Sequence, residues 1–169
     1  MAATIEIYLV RHAIAAEQGP AFPDDRLRPL TPVGEQQFRQ AVRGLSTMKM
    51  AVDVVLTSPL ERARATALLL ADGLKPKPAI EELEALAPGG RHAAIMDALA
   101  THATRHRRMA LVGHEPALGE LAARLLGARG AIIFKKGAVC AIDLDAATPG
   151  GPGALRWHLP PRALRRLVP

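Results

Sequence analysis

One cysteine, Cys140, is all the thiol chemistry the chain possesses. It can form no internal disulfide and cannot build a thiolate zinc site, so within its apolar stretch it reads as a small core residue of a cytoplasmic protein. Aromatic side chains make up 3% of the composition, too few to assemble the stacking platforms of single-strand binders, and nucleic acid is not an expected partner. No apolar run reaches membrane-spanning length. Met1 to Val10 contains Glu6 and lacks a basic leading region, so it reads as neither signal peptide nor span, and no membrane partner is expected. Acidic residues are also the minority, 16 against 22 lysines and arginines, which leaves a net charge of +6 and an attraction for anions in general.

What is present suffices for one globular unit. The 169 residues, 49% hydrophobic and 22% charged, are read as a single domain over residues 1–169. Ile5 to Val10 is a short apolar, β-branched run that stops at Arg11-His12, as a buried strand does at its carboxyl end. Ala16 to Pro29 is broken by glycine, prolines and aspartates and reads as a long loop. Thr31-Pro32 is a helix start, and Phe38, Val42 and Leu45 carry that helix to about Ser46.

The same unit recurs. Val52 to Leu56 predicts a second strand and Leu60 to Leu74 a helix, with Ser58 and Glu61 spaced as a capping box. His92 to Arg107 predicts a further helix, and Met109 to Val112 a strand that turns through Gly113-His114-Glu115-Pro116 into an amphipathic helix. Gly137 to Asp145 and Ala154 to Leu159 predict two closing strands around a proline- and glycine-rich turn. The alternation implies an α/β three-layer sandwich, with a mainly parallel central sheet and helices on both faces.

In such sheets the residues just beyond the carboxyl ends of strands share one crevice, where ligands bind. Arg11-His12, Arg62 and His114 fall at such places, and no carboxylate occupies those positions. Two arginines can grip the oxygens of a phosphoryl group through charge-assisted bonds worth on the order of 1.5–3 kcal/mol each. A neutral imidazole, with an ordinary pKa of roughly 6.5, is a competent nucleophile between them. His12, adjacent to Arg11, is the better candidate of the two histidines.

These motifs resemble those of the histidine phosphatase superfamily, the phosphoglycerate mutase-like group. Leu9-Val10-Arg11-His12-Ala13 resembles its Arg-His-Gly signature, Thr57 to Ala63 with Thr66-Ala67 its second arginine motif, and Leu111-Val112-Gly113-His114 its second histidine motif. The short length, Ala13 after the Arg-His pair and Arg28-Pro29-Leu30-Thr31 are most similar to the SixA-type phosphohistidine phosphatases within it. The resemblance implies a phosphoglycerate mutase-like fold, phosphorylation of His12, oxygens held by Arg11, Arg62 and His114, hydrolysis by water, and a phosphohistidine-bearing protein as substrate. Enough fixed cations surround the oxygens that neither metal nor other cofactor is expected.

Mutase-like relatives use a glutamate as proton donor, and Glu82, among Glu81, Glu82 and Glu84, is the candidate here. The plainer reading of that stretch is a solvated turn, and Asp24 or Asp25 is another candidate donor. A protonated phosphoimidazole leaves as neutral imidazole and has less need of an acid, which favours it over an alkyl phosphate. Three other readings stand beside the main one: a phosphatase of small phosphomonoesters, a noncatalytic phosphate-binding module and a basic nucleic-acid binder. Each motif alone is weak; their ordered recurrence at three strand ends is what carries the reading.

Overall fold

The computed structural model describes residues 3–168. Six strands form one mixed sheet: β1 (Thr4–Arg11), β2 (Val54–Thr57), β3 (Ala79–Glu82), β4 (Arg108–Gly113), β5 (Val139–Asp145) and β6 (Ala154–Leu159), in the order β3-β2-β4-β1-β5-β6. The first four in that order run parallel, while β5 is antiparallel to β1, and β6 to β5. Five helices cover it: α1 (Pro32–Thr47), α2 (Glu61–Gly73), α3 (His92–Ala103), α4 (Ala117–Leu126) and α5 (Pro161–Arg165). This is the expected three-layer α/β sandwich.

The layering follows from strand alternation. Ile5, Ile7 and Leu9 pack with Leu99 of α3 and Leu121 and Leu125 of α4 on one face. Tyr8 and Val10 pack with Phe38 and Leu45 of α1, Ala67 of α2 and Leu164 of α5 on the other. Both faces being buried explains why these strands are nearly continuous apolar runs. Cys140 is fully buried, and burial pushes its thiol up to about 11, as befits an inert core residue.

The structure corrects several boundaries. Strand β2 begins at Val54, preceded by Asp53, whose carboxylate binds the backbone N–H groups of Arg107 and Arg108. Helix α3 ends at Ala103, four residues before Arg107. Glu81 and Glu82, read with Glu84 as a solvated turn, belong instead to the edge strand Ala79–Glu82, which pairs in parallel with β2; its largely exposed Ala-Ile-Glu-Glu sequence has no apolar pattern to announce it. The capping box is not formed either. Ser58 lies before the helix, and its hydroxyl is bonded to His114.

Candidate active site

Strand β1 carries Arg11 and His12 to the carboxyl end of the sheet, opposite Gly113 of β4, whose carbonyl accepts the His12 N–H at 3.0 Å. The His12 ring lies 2.7 Å from the Ala13 carbonyl through Nδ1. A carbonyl can only accept, so the ring proton belongs on Nδ1 and the lone pair on Nε2. Burial pushes the His12 pKa down to about 4, helped by the charges of Arg62, Arg11 and Lys136, while the bond to Ala13 opposes. At neutral pH the ring is a neutral base with a free Nε2.

His114 follows β4 and faces it, with ring centroids 5.1 Å apart. Ser58 Oγ accepts the Leu60 N–H at 3.3 Å and lies 2.8 Å from His114 Nε2. Donation of the serine proton to Nε2 leaves the ring hydrogen on Nδ1, which is buried and has no protein partner. Burial, followed by the proximity of His12 and Arg62, pushes the His114 pKa down to about 3.

The two arginines are held from outside the crevice. Arg62, in the first turn of α2, is 4% exposed and donates from Nη1 to the Asp25 carbonyl (2.7 Å) and from Nη2 to the Asp25 carboxylate (2.9 Å). Arg11 donates from Nη1 to the Phe134 carbonyl at 2.6 Å. In both guanidinium groups Nε is buried without a partner. Thr66 ties these parts together, accepting from the Ala13 N–H (3.0 Å) and donating to the Arg62 carbonyl (2.7 Å).

The structure thus gathers Arg11, His12, Arg62 and His114. Three buried nitrogens, Nε of each arginine and Nδ1 of His114, lack protein partners, and all three are donors in the tautomer in which Ser58 donates to Nε2. Buried N–H groups of this kind are normally satisfied, and an oxyanion between them would satisfy all three.

Glu82 is not drawn into this group. It ends β3, is half exposed and pairs with Arg64 at 2.9 Å, with no hydrogen bond to any of the four residues. Two other carboxylates approach instead. Asp25 bonds Arg62 and Arg28, and although burial acts to raise its pKa, those arginines hold it below the ordinary carboxylate value. Glu115 has one buried, unpartnered oxygen; burial raises its pKa and the charge of Arg11 opposes the rise. Only Asp25 had a sequence signal, as an acid in the first loop. Ser58 was legible as a cap, and nothing local marked the Phe134 carbonyl.

Residues 7–87 match the family model of the histidine phosphatase superfamily (branch 1). An uncharacterized protein of Picosynechococcus sp. is 38% identical over 120 residues, which span 70% of this chain and 71% of that protein. The chain belongs to the histidine phosphatase superfamily. It is accordingly an enzyme of a superfamily that works without metal. The phosphohistidine phosphatase SixA of Escherichia coli is 27% identical to this histidine phosphatase over 164 residues, 95% of this chain and 97% of SixA. The solved structure of the protein histidine phosphatase SixA complexed with tungstate superposes with a TM-score of 0.85 at 27% identity, covering 95% of this chain and 99% of that one. Among the described residues no helix is long and apolar enough to cross a membrane.

Proposed function

We propose that this histidine phosphatase dephosphorylates phosphohistidine carried by a protein, through a phosphoenzyme intermediate on His12. The observation that carries the reading is a neutral imidazole, whose Nε2 is free, gathered with His114 and with two arginines whose buried Nε groups lack protein partners. His12 Nε2 attacks phosphorus as the substrate's P–N bond breaks. The phosphoryl group then rests on Nε2, water attacks it, and phosphate leaves with His12 neutral again. The N–H groups of Arg11, Arg62 and His114 stabilise the charge on the phosphoryl oxygens through both steps.

Support for phosphohistidine comes from the similarity to SixA and from the proton inventory. Asp25 is held ionised by two arginines and Glu82 is occupied by Arg64, so neither is a ready acid. A phosphoimidazole already protonated on its distal nitrogen leaves neutral and requires none. One observation favours a phosphomonoester instead: Glu115, beside Arg11, has one buried oxygen without a partner, and burial acts to raise its pKa while Arg11 opposes the rise, which makes it the candidate acid for an ester.

The test is hydrolysis, in EDTA, of a histidine-phosphorylated carrier protein and of p-nitrophenyl phosphate. Wild type is expected to release phosphate from the carrier, and His12→Ala to release none. Carrier turnover by His12→Ala at the wild-type rate excludes the phosphoenzyme. An ester-only activity that Glu115→Gln abolishes establishes the second reading.

A further inference from the structure

The two most exposed large apolar side chains among the described residues are Ile133, at 79%, and Leu27, at 64%. Each stands on a loop that also holds one of the two crevice arginines. Leu27 closes the short 3-10 turn Asp25–Leu27, whose first residue takes both terminal nitrogens of Arg62. Ile133 precedes Phe134, whose carbonyl takes Arg11. In the sheet order β2-β4-β1-β5, Arg62 follows β2, the two histidines follow β4 and β1, and the Ile133 loop leads into β5. The two apolar side chains therefore stand on opposite banks of the crevice.

Neither is loose surface. The stretch 131–135 alternates in burial, with Phe134 fully buried and Ile132 donating its N–H to the Gly119 carbonyl at 3.1 Å, so that Ile133 is turned outward on an anchored backbone. The 3-10 turn is anchored in the same way, by Asp25 between Arg62 and Arg28. Two rigidly presented apolar groups with nothing over them suit the core of a protein contact. The charge beside Leu27 is mixed, with half-exposed Arg26 paired to Glu84 at 3.4 Å and Asp24 exposed, whereas the Ile133 side is basic, with Lys135 and Lys136 exposed.

We propose that Leu27 and Ile133 form a two-point docking rim for a folded protein substrate, whose phosphorylated side chain enters between them from a surface that is apolar at the centre and acidic around it. The proposal rests on the phosphohistidine reading and adds to it the surface that recognises the carrier. A small phosphate compound held at Nε2 of His12 gains nothing from the two rim residues, whereas a protein gains apolar contact on both banks and charge complementarity from Lys135 and Lys136.

The experiment measures kcat/KM of the full-length protein on three probes: a small histidine-phosphorylated carrier protein with an acidic surface, free phosphohistidine, and p-nitrophenyl phosphate. Wild type should prefer the carrier to free phosphohistidine by at least about tenfold. The double variant Leu27→Ser/Ile133→Ser should lose about tenfold on the carrier, mainly through KM, and stay near wild type on both small probes. Leu68→Ser/Leu155→Ser, at two positions each 52% exposed on α2 and β6, should leave all three unchanged. The rim is overturned by equal wild-type use of carrier and free phosphohistidine, by an unchanged carrier rate in the rim variant, or by a uniform loss on all probes. Hydrolysis of the ester with neither phosphohistidine form touched overturns the underlying reading, and the rim with it, and is recognisable because wild type alone shows it.

Discussion

At the residue scale the electrostatic setting of His12 has a sign that can be measured. Burial and three neighbouring cations disfavour imidazolium, so the proposed nucleophile is a neutral imidazole at every pH above about 4. NMR titration of His12 without phosphate should give a midpoint near 4, well below the ordinary value of roughly 6.5. Saturation with tungstate should move it upward, because the oxyanion offsets the charges of Arg11 and Arg62. An ordinary midpoint without ligand would contradict the buried geometry. Asp25 sets the second residue-scale expectation. Its carbonyl and its carboxylate each take one N–H from a terminal nitrogen of Arg62, while Nε is buried without a protein partner. Arg62→Ala should lower kcat by about 10²–10³-fold, the loss expected for one preorganised donor. Asp25→Ala should cost less, about tenfold, because the backbone carbonyl of residue 25 still holds Nη1; Asp25→Asn should recover most of that. An Asp25→Ala loss as large as that of Arg62→Ala would show that Asp25 itself meets the substrate.

At the scale of elements, the site depends on the join between β1 and α2. Thr66 accepts the Ala13 N–H and donates to the Arg62 carbonyl, so one hydroxyl couples the segment after His12 to the first turn bearing the second arginine. Thr66→Val keeps the shape and removes both bonds, leaving the Ala13 N–H buried without an acceptor. Chemical denaturation should show a loss of about 1–3 kcal/mol. The same variant should lower kcat more than it raises KM, since positioning rather than binding surface is lost. Thr66→Ser, which keeps the hydroxyl, should restore both. The contact of α1 with α5 is similarly exacting: a methyl group at Gly44 would collide with the Leu164 carbonyl, so Gly44→Ala should destabilise the protein by forcing the short final helix away.

At the scale of the whole molecule, burying two neutral histidines makes stability depend on pH. Their folded pKa values, about 4 for His12 and about 3 for His114, lie below the unfolded value of roughly 6.5. The unfolded chain therefore takes up protons first as pH falls. The contribution is intact above about pH 6.5 and is lost progressively as pH drops through about 4 and then about 3. Glu115 and Asp143, raised by burial, act in the opposite direction, so the histidine part is isolated by difference. Between pH 6.5 and 4, thermal melts of wild type should lose stability more steeply than those of His12→Asn/His114→Asn. Parallel curves would mean that the two rings are hydrated rather than buried.

Much of this molecule was determined locally. The apolar runs that end at Arg11-His12 and at Gly113-His114 specify buried strands and place those side chains past their ends, because strand alternation and termination depend on near neighbours in the chain. The starts of α1 and α2 were legible for the same reason. Tertiary structure alone decided which groups meet across long separations. Arg11 is seated by a carbonyl 123 positions away, and Arg62 by an aspartate 37 positions away in a loop whose composition signals only irregularity. Ser58 looked like a helix cap because a hydroxyl before a glutamate caps helices in isolation; packing β2 against β4 brought His114 closer, and the hydroxyl turned to it. Glu82 looked available as an acid until β3 paired with β2 and gave it Arg64. Local pattern places a side chain at the end of a strand, but its partner, and hence its protonation and its chemistry, is set by whichever element the fold packs beside it.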